Sequence, residues 1–137
     1  MQAKMLMLLA AMLPIAASNA SQTPTLGGRY LMWAEAISKD CEIPPEIEFS
    51  TDGKMSGSTA CNTLSGEFTQ QGDKVDFSKA VTTKRACGPK LMEVENRFMS
   101  KLTAAKTVLF DGDKVILSDG NGATLMTLVP MKPGSCD

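Results

Sequence analysis

The sequence contains no histidine among its 137 residues. Serine and thiol hydrolases activate their nucleophile with a neighbouring imidazole, so this absence excludes both arrangements. The four cysteines lie at least twenty residues apart, which excludes a CxxC redox motif and disfavours a structural zinc site. Neither a P-loop nor a dinucleotide-binding fingerprint occurs. We therefore expect a protein that is not an enzyme and that holds no metal and no cofactor.

The chain also has little net charge and few aromatic residues. The chain has 14 basic and 15 acidic side chains, a formal net charge of −1 at pH 7. A nucleic-acid-binding protein carries a strongly basic surface, so we expect no nucleic-acid partner. Aromatic residues make up 5% of the chain, and Trp33 is its single tryptophan. Its place in the first predicted strand favours a structural role in the core over a ligand platform.

Only one long apolar run is present, at residues 5–17, and it lies in the first twenty residues. Lys4 is the only charge there, and Ser18 and Ala20 are the small residues that a signal peptidase requires. We predict a signal peptide at residues 1–20, too short to span a bilayer. No cysteine follows the junction to accept lipid, so a periplasmic or secreted protein without a membrane anchor is expected.

The remaining residues, 21–137, suit a single domain built mainly from short strands. "EIEFS" (46–50) and "LSGEFT" (64–69) alternate apolar and polar side chains, and Asp-Gly and Asn-Gly turns separate such segments. The closing strands are apolar on both faces, which predicts a sheet covered on both sides. The predicted fold is α+β and mainly antiparallel β: a curved sheet or a barrel-like meander with one helix packed against it.

The helix is predicted to begin at Gly88-Pro89, since proline suits the first helical position. Glu93 and Glu95 lie two residues apart and point in different directions, so they do not form a catalytic pair. Instead, both complement the positive end of the helix dipole, a structural role. The apolar stripe that should face the sheet consists of Leu91, Val94, Phe98 and Leu102.

Disulfide bonds are the favoured state of the cysteines, because an exported chain with an even number usually pairs them. Four cysteines allow three connectivities. We predict a Cys61–Cys87 bond that clamps the helix start to the sheet, and a Cys41–Cys136 bond that ties down the C-terminal tail. A zinc site and a catalytic thiol activated by neighbouring basic side chains remain alternatives.

The densest basic stretch is "TTKRACGPK" at residues 82–90. Its three cations are Lys84, Arg85 and Lys90, and they flank the helix start, where backbone N–H groups attract anions. This stretch is the candidate binding loop. A solvated surface loop is the alternative interpretation.

These landmarks, in this order, resemble the META domain family of the heat-shock HslJ type. The resemblance runs over about residues 29–129 and begins with Trp33 in the first strand. It continues through "MSGSTACNTLSGEF" (55–68), which contains Asn62 and Gly66, and a Thr-x-x-x-Cys segment at 83–87. The helix "LMEVENRFMSKL" (91–102) then carries the family's two glutamates, and the hairpin "VLFDGDKVILSDGNGATLMTL" (108–128) closes the pattern.

The resemblance implies a small, exported, largely β protein with one helix packed on a curved sheet. Asn62 and Gly66 are expected to shape the chain after Cys61. Family members in bacteria are linked to heat shock and novobiocin resistance, and those in parasites to virulence. No catalytic residues carry over. Many relatives have an arginine and an aromatic residue where this chain has Thr63 and Leu64, so binding at that face is expected to differ here.

Two functions are compatible with these features. The first is a non-enzymatic periplasmic protein, a binding or structural factor in the envelope stress response or antibiotic tolerance. The alternative is a secreted inhibitor of a protease or muramidase that uses the loop at 82–90. In either case we expect a monomer whose partner is a protein or a small molecule that the sequence does not identify.

Overall fold

The computed structural model describes residues 24–37 and 43–132. The predicted signal peptide, Cys41 and Cys136 lie outside these residues, so cleavage after Ala20 and the Cys41–Cys136 bond stay predictions. A short 3-10 helix at Ala34–Ala36 follows the first strand, and the one α-helix among the described residues, α1, spans Pro89–Ala104. The strands are β1 (Arg29–Trp33), β2 (Glu46–Phe49), β3 (Lys54–Ser58), β4 (Thr63–Glu67), β5 (Thr69–Gln71), β6 (Lys74–Asp76), β7 (Val81–Thr82), β8 (Thr107–Asp111), β9 (Lys114–Ser118) and β10 (Thr124–Pro130).

All ten strands belong to one antiparallel sheet, in the order β5-β6-β8-β9-β10-β1-β2-β3-β4-β7. Strands β1 to β4 form one meander and β8 to β10 another. The two meanders join where β1 pairs with β10, with Met32 opposite Val129. Since those strands come from opposite ends of the described chain, this pairing closes the fold.

The sheet curls into a half-barrel, which resolves the alternatives left by the sequence. Strand β4 lies beside one edge of the sheet and β5 forms the other edge, yet only Phe68 separates them in sequence. The chain therefore crosses from one edge to the other within a single residue. Phe68 points inward and packs edge-on against Phe49, with ring centroids 5.0 Å apart.

The helix fills the concave side of this sheet. Phe98 and Leu102 are fully buried, and Val94 packs half-buried against the same cluster. Trp33 lies in the core as expected, with its ring centroid 5.6 Å from that of Phe98. Burying a side chain of this size contributes about 1.5–3 kcal/mol, so this apolar stripe holds the helix in place. Leu91, in the first turn, is only half-buried.

The prediction that the closing strands are covered on both faces is wrong for the outer face of β8. Leu109 is 61% exposed there, and its cross-strand neighbour Ile116 is half-buried. The inward residues of the same strands, among them Val115 and Leu117, are buried. The helix packs on the concave side, so it does not cover Leu109 on the convex side of β8.

No helix in the described part of the chain has both the length and the hydropathy needed to cross a bilayer.

Candidate functional site

The turn between β3 and β4 is built by hydrogen bonds between Thr59 and Asn62. The Thr59 N–H donates to the Asn62 carbonyl at 2.9 Å, and the Asn62 N–H donates to Thr59 Oγ1, also at 2.9 Å. Between them Ala60 adopts a φ of +82°, in the left-handed region that residues other than glycine rarely adopt. Such a conformation costs about 1–3 kcal/mol, so the surrounding contacts must hold it.

Asn62 is the centre of this site and is only 3% exposed. Its Oδ1 accepts hydrogen bonds from the Arg85 N–H at 2.7 Å and from Thr83 Oγ1 at 2.8 Å. Its Nδ2 donates to the Arg85 carbonyl at 3.0 Å and to Glu95 Oε1 at 2.9 Å. Every donor and acceptor of the amide is therefore used. One side chain links the sheet, the loop before the helix and the helix itself.

Glu95 faces inward from α1 and is 7% exposed. Its Oε1 accepts from Thr59 Oγ1 at 2.5 Å as well as from Asn62. The dipole interpretation of Glu93 and Glu95 is therefore wrong, because the first turn of the helix contains no acidic residue. The carboxylate is instead an anchor that ties the helix to the β3–β4 turn. We call Thr59, Asn62 and Glu95 the polar joint.

A disulfide lies beside the polar joint and joins Cys61 to Cys87, the pair proposed from the sequence. The Cα atoms are 6.0 Å apart, within the usual range for such bonds. Neither residue therefore carries a thiol. Cys61 is buried and Cys87 is half-buried, two residues before the helix begins. By loop-closure arithmetic the bond contributes about 3–4 kcal/mol to stability.

The three cations of the candidate binding loop have different surroundings. Arg85 is built into the site: Nη2 of its guanidinium donates to the Cys61 carbonyl at 2.7 Å. Lys84 is exposed beside it. Lys90 lies at the second position of α1, also exposed. All three cations therefore lie at the surface, and Arg85 is anchored there by its bond to Cys61.

The other structural residues proposed from the sequence lie outside the polar joint. Trp33 packs in the core, with the Arg97 guanidinium 5.8 Å from its ring centre. Gly66, in β4, has a φ of +151°, and a Cβ built on it would lie 2.4 Å from the Lys79 carbonyl oxygen. This close approach explains why glycine is required there.

Sequence reasoning missed Thr59 and the inward role of Glu95. One local signal was available for Thr59, because a threonine three residues before an asparagine suits a side-chain-to-backbone turn. Nothing local connects Glu95 to that turn, since 33 residues separate it from Asn62.

The polar joint has a structural role, because its groups hold the loop and the helix in place. All hydrogen-bonding groups of the Asn62 side chain are used, and the two nearby cysteines form a disulfide. Within residues 24–37 and 43–132, no three acidic or cysteine side chains converge to hold a metal ion. The arrangement fixes an exposed loop on a buried hydrogen-bond network.

The fold and the polar joint together define a class of protein. Its members are small antiparallel half-barrels in which a helix is hydrogen-bonded to a turn that contains Cys-Asn. Residues 31–132 match the sequence profile of the META domain. Because this match covers most of the chain, the protein belongs to the META domain family.

Several solved structures share the fold. An NMR structure of a protein from Burkholderia xenovorans has a TM-score of 0.61 and 19% identity, covering 90% of this chain and 99% of that chain. A crystal structure of a DUF4847 family protein from Bacteroides vulgatus ATCC 8482 has a TM-score of 0.57 and 14% identity, covering 76% and 93%. Another NMR structure has a TM-score of 0.57 and 24% identity, covering 75% and 89%. Comparison with curated proteins finds no significant match.

Proposed function

We propose that this META domain protein is an exported, non-enzymatic binding protein that contacts its partner through residues 82–90. The observation that carries the proposal is the contact between Asn62 and Arg85. One buried side chain fixes both backbone groups of an exposed residue. A loop that is ordered before binding loses less conformational entropy when a partner engages it.

The charge of the loop indicates the kind of partner. Residues 82–90 contain three basic and no acidic side chains, although the whole chain has a net charge of −1. Lys84 and Arg85 are both exposed in the middle of the stretch, and the Arg85 guanidinium is already bonded to the Cys61 carbonyl. A local excess of positive charge attracts a complementary acidic surface and speeds its association.

Export is supported by the disulfide and by the apolar leader. Disulfides form and persist in oxidising compartments such as the periplasm. Fractionation of expressing cells, followed by intact-mass analysis, should place the mature protein outside the cytoplasm, beginning at Ser21 and without a thiol at Cys61. A cytoplasmic protein that retains its leader and a free Cys61 thiol contradicts export.

Binding is tested by capture from envelope extract with three baits: the wild type, Lys84→Glu and Lys114→Glu. Lys114 is an exposed lysine at the start of β9, so its reversal changes net charge equally. We expect a defined partner that is lost with Lys84→Glu and retained with Lys114→Glu. Identical partners for all three baits contradict a role for the loop.

A role in the envelope stress response or in antibiotic tolerance is the physiological part of the proposal, and membership of the META domain family supports it. A strain lacking the gene should grow less well than its parent at raised temperature or with novobiocin. The wild-type gene should restore growth, and the Lys84→Glu gene should restore it less well. Equal growth of deletion and parent strains under both stresses contradicts this role.

The alternative function, a secreted inhibitor of a protease or muramidase, is favoured by one specific observation. Thr83 to Gly88 contain no helix or strand and are held by the polar joint and the disulfide. Rigid exposed loops of this kind resist the rearrangement that cleavage requires. Titration against trypsin and against lysozyme should then show stoichiometric inhibition that Lys84→Glu weakens. Full enzyme activity at a large excess of the protein contradicts an inhibitor of these enzymes.

A further inference from the structure

The sheet ends at an edge that extends beyond β7. Strand β7 pairs with β4, with Val81 opposite Ser65 and Thr82 opposite Leu64. The pairing continues past the strand, because the Thr83 N–H donates to the Thr63 carbonyl at 3.1 Å. Two residues later Asn62 takes the place of a neighbouring strand and binds both backbone groups of Arg85. Residues 81–86 therefore form one extended edge segment.

Backbone directions within this edge segment follow from strand geometry. Successive residues of a strand direct their N–H and C=O groups to opposite sides. The Thr83 N–H points toward β4, and both the N–H and the C=O of Arg85 point toward Asn62 of the polar joint. Thr82, Lys84 and Ala86 must therefore direct theirs away from the sheet. No hydrogen bond is formed by these outward groups within the described part of the chain.

Of the three residues that carry outward groups, Lys84 and Ala86 are exposed and Thr82 is half-buried. An open row of backbone donors and acceptors is a template for another strand. Such addition supplies affinity through main-chain hydrogen bonds and specificity through alternate side chains.

We propose that residues 81–86 bind by strand addition to an extended, acidic segment of a partner protein. The partner's backbone pairs with the outward groups of Thr82, Lys84 and Ala86, and its carboxylates lie near Lys84. Charge selects this occupant, since residues 82–90 carry three basic and no acidic side chains. The same charge opposes pairing of two copies of this chain edge to edge. This inference rests on the proposed function, in that it gives the mode of binding through the loop.

The first test uses the pure protein and a synthetic peptide of alternating glutamate and valine, blocked at both ends. Amide hydrogen exchange and chemical shifts are followed by NMR during titration. We expect exchange at Lys84 and Ala86 to slow on binding. Exchange at Arg85, whose N–H is already bonded to Asn62, should change little. Equal protection at all three amides, or none at saturating peptide, overturns strand addition.

Matched peptides and variants separate backbone pairing from charge. Two further peptides carry N-methyl groups on alternate residues, one set on each side of the strand. Only one set should abolish binding; equal binding of both overturns the proposal. Lys84→Ala keeps the backbone N–H and should weaken binding about three- to tenfold, whereas Lys84→Pro removes the N–H and should weaken it further. If Lys84→Pro does not fold, the N-methylated peptides still decide, because they leave the protein unchanged.

The outcomes distinguish this inference from the proposed function. A cellular partner lost with Lys84→Glu but retained with Lys84→Pro overturns strand addition and leaves binding through the loop intact. Peptide binding at the edge, with no cellular partner that depends on Lys84, supports the edge chemistry and contradicts the proposed function. Concentration-dependent dimerisation that Lys84→Pro abolishes overturns an acidic partner in favour of a second copy of the chain.

Discussion

Asn62 shows how much a single buried amide determines in this protein. It connects three parts of the chain that are separate in sequence: the β3–β4 turn, the loop at Arg85 and the helix at Glu95. A buried amide that loses its partners costs far more than an exposed one, because water cannot replace them. Its four hydrogen bonds therefore make Asn62 the residue on which the loop depends.

Replacing Asn62 by alanine leaves the Arg85 backbone and Glu95 without a main partner. We expect Asn62→Ala to lower the free energy of unfolding by about 2–4 kcal/mol, measured by urea denaturation. Asn121→Ala is the control, since Asn121 is an exposed turn residue, and it should change stability by less than about 0.5 kcal/mol. Similar effects of the two substitutions contradict the role assigned to Asn62.

Tyr30 supplies a pH-dependent test on the outer face of β1. Its hydroxyl donates to Glu46 Oε1 at 2.6 Å, and this bond, with a smaller effect of burial, raises the pKa of Tyr30 to about 12. A raised pKa favours the protonated phenol, so the stabilisation is complete below pH 10 and is lost as pH rises through about 12. As the only tyrosine, Tyr30 should titrate alone in the ultraviolet spectrum. Glu46→Gln should lower that pKa toward 10, and an unchanged titration curve contradicts the contact.

Among the elements, helix α1 is held by two different kinds of contact. Phe98 and Leu102 bury an apolar stripe in the core, and Glu95 binds the β3–β4 turn. The disulfide at Cys87 adds a covalent link just before the first turn. The apolar contacts position the helix on the sheet, and the polar ones set its relation to the loop.

Glu93 and Glu95 offer a matched pair on this helix. Glu95→Ala removes a buried carboxylate and leaves Thr59 and Asn62 short of an acceptor, so stability should fall by about 2–3 kcal/mol. Glu93→Ala changes an exposed residue and should cost less than about 0.5 kcal/mol. Thermal unfolding of both variants makes the comparison. Equal losses of stability in the two variants contradict anchoring by Glu95.

For the whole molecule, local patterns predicted the elements but not how they join. The alternation around Ile47 and Phe49 and the stripe at Phe98 and Leu102 were readable because side-chain direction repeats within a strand or helix. The pairing of β1 with β10 and the crossing at Phe68 connect parts of the chain that share no local signal. Which distant strands pair depends on how much apolar surface the whole fold buries. The alternation of residues within one strand carries no information about that.

The polar joint, too, was predicted only in its local parts. The sequence indicated that Cys61 and Cys87 would pair, since one follows a strand and the other precedes the helix. It assigned Glu95 to the helix dipole, because periodicity tells which residues share a helix face but not what lies opposite that face. A buried carboxylate beside a turn is visible only once the helix is packed.

Neighbouring backbone approaches two glycines of the sheet very closely. A Cβ at Gly66 would lie 2.4 Å from the Lys79 carbonyl oxygen, and one at Gly57 would lie 2.0 Å from the Glu46 carbonyl oxygen. Gly66→Ala should cost more than about 2 kcal/mol in urea denaturation, because backbone must move and φ is strained. Gly88→Ala, with open space and a φ of −61°, should cost less than about 1 kcal/mol. Equal losses of stability in the two variants contradict the close backbone contact assigned to Gly66.

The most direct test of the rigid loop is native-state hydrogen exchange at three consecutive amides. The Arg85 N–H is bonded to a buried oxygen of Asn62, whereas those of Lys84 and Ala86 have no partner in the described structure. We expect Arg85 to exchange at least a hundredfold more slowly than its two neighbours, corresponding to about 2.7 kcal/mol, and to lose this protection in Asn62→Ala. Similar, fast exchange at all three amides in the wild type would show that Asn62 does not hold the loop.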